Sequence, residues 1–348
     1  MERISYLTLF FLLPLLTALS CSDYYNCESC SGALVSGKKC RWCMSKNQCV
    51  SSKYLCHPSK SILSTVNCPF DQAIAPQYSD EFSRSKVIYY ILATNRIHNS
   101  ENPHAVKSCL DKVNENIEVI AEISIKTFFG AHTLASLVAV NHWNRQIIVC
   151  FQATVGPIQF VTQAIQFITG MYVDTGFGGK MVRYYHEAYK TFVESGIDTN
   201  LQKAFEKYPT YQVLTCGHSL GGTMASIFSV HIKQKYGRDV VEYGFSGPRA
   251  GDETFAKLHN SLIHQAFRVI RNGDWVPDFP FRISERLTAP YHTKYEVFYN
   301  SHMTNETFKI CNQADSEECN RGSWLRKLTS HMYMFDQTMV TFSLGLCD

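Results

Sequence analysis

The 348-residue chain has little charge: 18% of its residues are charged, and the formal net charge is only +3. So slight a balance gives no electrostatic footing for nucleic acid or a strongly anionic partner. After the first 20 residues no apolar run is long enough to span a bilayer, so no integral membrane segment is expected in the mature chain. No internal repeat and no low-complexity tract occurs, which excludes solenoid and disordered classes. The stretch from Cys21 to Cys68 is poor in aliphatic residues and cannot build a core without covalent staples.

What is present divides into a leader, a small module and one large unit. Residues 1–20, "MERISYLTLFFLLPLLTALS", carry Arg3, an apolar core and small residues Ala18 and Ser20 before Cys21. This is the pattern of a secretory signal peptide, so the mature protein is expected to be secreted and extracellular. In that oxidising setting the 14 cysteines become candidates for bridges. Eight of them crowd the region 21–68. The pairs Cys27/Cys30 and Cys40/Cys43 also match zinc-ligand spacing, but an even count in a secreted chain favours disulfides.

Residues 69–82, with Pro69 and Pro76, read as a linker. From residue 83 to 348 apolar, Val- and Ile-rich runs alternate with longer amphipathic segments, which predicts an α/β domain with a mostly parallel central sheet. Helices are expected over 85–98 and 181–196, the latter stopped by Gly196. Strands are expected at 133–142 and 145–154, joined by a tight turn at Trp143 and Asn144, and at 211–216, 240–247, 266–272 and 295–300.

Within this pattern "LTCGHSLGGTM" places Ser219 between Gly217 and Gly221, after a predicted strand and before a predicted helix, which is the context of a nucleophile elbow. The elbow strains the nucleophile's backbone and brings strand and helix close, so both flanking positions must lack a side chain. The helix N-terminus favours negative charge developing at the serine. A serine hydroxyl needs a base, and the base needs an acid to fix its tautomer. The chain order of this architecture is Ser, acid, His. Asp274 is the preferred acid because it follows its strand directly beside Gly273; Asp252 looks like a helix N-cap, and Asp278 lies between prolines. The base is left among His292, His302 and His331.

"CRWCMSKNQC" and its neighbouring cysteines resemble the plexin-semaphorin-integrin type of module, which implies a stapled spacing or partner-binding domain over 21–68, with a protein partner as its ligand. The large unit resembles the fungal-type, class 3 triacylglycerol lipases through "IIVCFQAT", "LTCGHSLGGTMAS", "YGFSGPRAGD", "RVIRNGDWVPDFP", "YHTKYEVFY" and "SHMYMF", in that order. The resemblance implies an α/β-hydrolase fold and a secreted lipase hydrolysing acylglycerol esters at an interface, with Ser219 as nucleophile, Asp274 as acid and His331 as base. His292 falls where the family carries a histidine without that role. The resemblance further implies an oxyanion hole from the N–H groups of Leu220 and Thr154, although Gln152 and Ala153 depart from the family's pattern.

The segment after Thr154, with Ile158, Phe160, Val161 and Ile165, corresponds to the family's lid or acyl-pocket wall but has no tryptophan. His186 stands where the family tends to have glycine. Cys109 and Cys347 resemble the family's bridge between an early helix and the C-terminus, and Cys311 and Cys319 are expected to close a local loop. Cys150 and Cys216 fall in predicted buried strands as small core residues. Asn305 heads a glycosylation sequon. No metal or organic cofactor is expected. The alternatives are a phospholipase, an esterase of soluble esters, or an inactive secreted binding protein.

Overall fold

The computed structural model describes residues 20–57, 60–71, 73, 75–97, 104–126, 133–152, 172–282, 289–304, 307–320, 327–335 and 347. The chain divides into two units, the first ending at Thr65 and the second running from Val66. In the first unit Arg41–Cys43 pairs antiparallel with Gln48–Val50 on one side and with Ser61–Ile62 on the other. Disulfides join Cys21 to Cys40, Cys30 to Cys49 and Cys43 to Cys56. Cys27 is disulfide-bonded as well. Buried Trp42 and these sulfurs stand in for an aliphatic core.

The second unit is built on one eight-stranded sheet. Its strands are β1 (Ile117–Lys126), β2 (Thr133–Asn141), β3 (Gln146–Phe151), β4 (Gln212–His218), β5 (Val240–Phe245), β6 (Gln265–Arg271), β7 (Glu296–Tyr299) and β8 (Lys309–Ile310). They lie side by side in chain order. The strands β3 to β7 are parallel, and the flanking β1, β2 and β8 join antiparallel. A parallel strand covered on both faces reads as an unbroken apolar run, as "IIVCF" in β3 does. Its alternation sends Ile147, Val149 and Phe151 into one core and Ile148 and Cys150 into the other.

The first core is closed by α3 (Arg183–Glu194), α4 (Ile197–Lys207) and α5 (Leu220–Tyr236), together with Phe255 of α6 (Glu253–Leu262). The second is closed by α1 (Ile88–Asn95) and α2 (Ala105–Asp111). The helix expected over 85–98 both starts and ends earlier: a short helix at Asp80–Phe82 runs through a π turn at Ser83–Val87 into α1, which ends at Asn95. Gly196 both ends α3 and starts α4 in the left-handed region, at φ 88°. The 69–82 stretch, expected as a linker, is packed by Tyr78: the ring is buried against Tyr243, Phe267 and Phe308, and its hydroxyl lies 3.1 Å from that of Tyr299. Burying the area of the Tyr78 ring draws the segment into the core despite its prolines.

Disulfides join Cys109 to Cys347 and Cys311 to Cys319. Cys150 and Cys216 are free, buried and directly opposite each other on β3 and β4. Burial pushes the Cys216 thiol well up from its ordinary range, as does its neighbour Cys150. Among the described residues no helix is long and apolar enough to cross a membrane.

Candidate active site

The site begins with a backbone constraint. Ser219 links β4 to α5 at φ 55° and ψ −125°, a conformation costly for a residue with a Cβ. The two flanking glycines make it sterically feasible. A Cβ on Gly217 would stand 2.3 Å from the Gly221 carbonyl group, and one on Gly221 would stand 2.2 Å from the Phe151 carbonyl oxygen and 2.7 Å from that of Gln152. Helix α5 thus starts in direct backbone contact with the end of β3. The turn places Ser219 at the head of a helix whose first N–H groups have no intrahelical acceptor. Leu220, the first residue of α5, carries one of these.

The candidate acid and base come from later turns. Asp274 follows β6 through Gly273, which takes φ 90°, and its carboxylate accepts the Val276 N–H at 3.0 Å. His331 ends the short α7 (Leu328–His331). Its Nδ1 lies 3.1 and 3.0 Å from the two Asp274 oxygens, and its Nε2 lies 2.9 Å from Ser219 Oγ. With Nδ1–H donating to the carboxylate, Nε2 is left to accept the serine proton. Ser219 is 5% exposed, and Asp274 and His331 are fully buried. This low-dielectric setting strengthens the charge interactions that catalysis uses.

The other candidates go elsewhere. Asp252 is the N-cap of α6 and accepts from Phe255 N at 2.9 Å. Asp278 is half-buried and His302 is exposed. His292 is buried and donates from Nε2 to the Pro277 carbonyl at 2.7 Å, so it supports the turn that carries Asp274. Burial pushes its imidazole well below the usual range, and the Arg268 and Arg249 guanidiniums add to that. Arg249 grips the same turn through the Asp278 and Pro280 carbonyls and pairs with Asp315 at 2.7 Å. Burial alone would raise the Asp315 carboxyl; Arg249 and Arg282 beside it outweigh that and hold it well below the ordinary carboxylate range.

Sequence reasoning did not assign roles to Arg249, Asp315 or His218. Arg249 and Asp315 meet across 66 residues, and nothing local announces such a pair. Thr154, Ile158, Phe160, Val161, Ile165 and Asn305 lie outside the described residues. Glu296, Cys311 and Cys319 come close enough together to suggest a metal site, but both sulfurs are consumed by their disulfide. His186 is half-buried beside Glu187, and nothing in the structure explains why it stands there.

A strained serine on a strand–helix turn, hydrogen-bonded to a histidine that is itself held by a buried carboxylate, on a mostly parallel sheet, defines an α/β-hydrolase. Residues 148–284 match the sequence model of the family described as Lipase (class 3). Lipase ZK262.3 of Caenorhabditis elegans is 23% identical over 267 residues, covering 67% of this chain and 74% of its own. Secreted mono- and diacylglycerol lipase 1 of Fusarium solani is 24% identical over 242 residues, covering 67% and 68%. The crystal structure of the lipase from Rhizopus microsporus var. chinensis superposes with a TM-score of 0.64 at 18% identity, over 81% of this chain and 98% of that one. The family match over these residues and the lipase relatives together support a carboxylic-ester hydrolase of lipase type.

Proposed function

We propose that the protein is a secreted lipase that cleaves acylglycerol esters through Ser219, His331 and Asp274. The observation that carries the assignment is the unbroken hydrogen-bond chain from Ser219 Oγ through His331 to Asp274. Ser219 Oγ attacks the ester carbonyl while His331 Nε2 takes its proton, giving a tetrahedral oxyanion. The Leu220 N–H, aided by Thr154, stabilises that charge; one such donor is typically worth about 10²–10³ in rate. His331 then protonates the leaving alcohol, and an acyl-enzyme remains on Ser219. Water, deprotonated by the same histidine, attacks the acyl carbonyl, releases the fatty acid and returns the proton to Ser219. Asp274 holds the tautomer and stabilises the imidazolium in both halves.

The acylglycerol class follows from the relatives named as mono- and diacylglycerol lipases, and secretion follows from the leader-like residues 1–20. The first unit is assigned a spacing or partner-binding role, and the apolar residues after Thr154 the lid or acyl wall. Ser219→Ala is expected to abolish hydrolysis of a short acyl ester and labelling by a serine-reactive phosphonate, with an unchanged melting temperature. Residual activity above about one part in a hundred of wild type would refute the role of Ser219, given the 10⁶-fold scale of losing a triad nucleophile.

A further inference from the structure

The base of this site is delivered by a helix of four residues, too short to be stable alone. Two hydrogen bonds tie its ends to the residues that immediately precede the other two members of the triad. At its start the Lys327 N–H donates to the Gly273 carbonyl at 2.9 Å, and Gly273 precedes Asp274. At its end the His331 carbonyl has no helical donor to receive, as is general for the last turn of a helix, and the neighbouring histidine supplies one. His218 Nε2 lies 2.9 Å from that oxygen, and His218 precedes Ser219. The two imidazole rings lie 4.6 Å apart, tilted by 34°, and both are buried.

We propose that His218 is a positioning residue for the reaction: its Nε2–H fixes the His331 main chain, and thereby the His331 ring, against Ser219. The acceptor is a carbonyl oxygen, so Nε2 must carry the proton and the tautomer of His218 is set. Burial, with the His331 imidazole beside it, holds His218 well below the ordinary range, so it stays neutral. A neutral ring lets His331 become the imidazolium during acyl transfer without a second cation at its face. The same residue ties strand β4, which carries the nucleophile, to the helix that carries the base.

This inference rests on the proposed triad, and the test separates the two. His218→Leu, His218→Gln and Ser219→Ala are assayed together on a soluble short-chain ester, with active-site titration by a phosphonate and melting temperatures. Loss of the carbonyl anchor lets the base drift, and a misplacement near 1 Å costs about 10²-fold in rate. His218→Leu is therefore expected to lower kcat by about 10- to 100-fold with KM within about twofold, the signature of an interaction made for the chemical step. His218→Gln keeps an N–H donor and is expected to recover most of that loss. In the wild type and the Gln variant the deshielded proton shared by His331 Nδ1 and Asp274 should give a sharp NMR resonance, broadened by exchange in the Leu variant. Full kcat in a folded His218→Leu, or Gln and Leu variants equally impaired at equal melting temperature, would overturn the positioning role. An active Ser219→Ala would instead overturn the triad. If the Leu variant does not fold, His218→Phe replaces it as the ring-bearing variant without a donor, read by the same criteria.

Discussion

Gly221→Ala tests the elbow by adding a single methyl group. In the structure that carbon would stand 2.2 Å from the Phe151 oxygen, whereas carbon–oxygen contacts settle at about 3.3 Å or more. The start of α5 and the end of β3 must therefore part by roughly 1 Å. Overpacking of this kind costs about 1–3 kcal/mol, which for a unit of this size is a fall of about 2–12 °C in melting temperature at roughly 2–4 °C per kcal/mol. The chemistry should suffer more than the fold, because the displaced atoms include Ser219, the Leu220 N–H and the strand end that leads to Thr154. We expect kcat/KM for a short acyl ester to fall by about 10²-fold, the scale of a 1 Å misplacement. Gly237→Ala is the control at the other end of the same helix. Gly237 has φ 67° and nothing within 4 Å of an added Cβ, so it should lose about 1–2 kcal/mol to backbone strain and keep its kcat/KM. Wild-type activity in Gly221→Ala, or an equal loss in Gly237→Ala, would refute the argument.

The two bridges of the catalytic unit should differ in worth. Cys109–Cys347 spans 238 residues and Cys311–Cys319 spans 8, so chain entropy assigns about 5.5 and about 2.5 kcal/mol to them. Paired serine replacements, compared by urea unfolding, should preserve that order; equal losses would count against it. Stability should also fall on acidification from pH 6.5 towards 4.5. His218 and His292 are held neutral in the fold but take up protons near pH 6.5 when unfolded. The unfolded state then binds more protons, and stability drops by up to about 1.4 kcal/mol per pH unit for each histidine. Urea titrations at pH 7 and 5 read this, and His292→Gln should remove about one proton from the slope; a gain in stability at pH 5 would contradict it.

The parts of this molecule written in local pattern could be read from the sequence. The runs that became β3 to β6 are apolar on both faces because helices cover both, and Gly217 and Gly221 are dictated by contacts within one turn. Asp274 could be preferred because its turn is local to its strand. The base could not be chosen that way: His292, His302 and His331 differ in nothing but what folds around them. His292 faces the Pro277 carbonyl, His302 faces solvent, and His331 is brought to Asp274 across 57 residues. The edge strand β1 escaped notice because a bulge between Val119 and Ala121 breaks its alternation. Cysteine pairing over residues 21–68 was equally beyond reach, since eight cysteines admit 105 connectivities.

The bridge between Cys109 and Cys347 also makes the catalytic unit a covalent ring. Ser219, Asp274 and His331 all lie on the closed arc. A single proteolytic cut anywhere between the two cysteines opens that ring without separating its pieces, so nucleophile, acid and base stay on one molecule. The nicked enzyme would run as one band on a denaturing gel and as two after reduction.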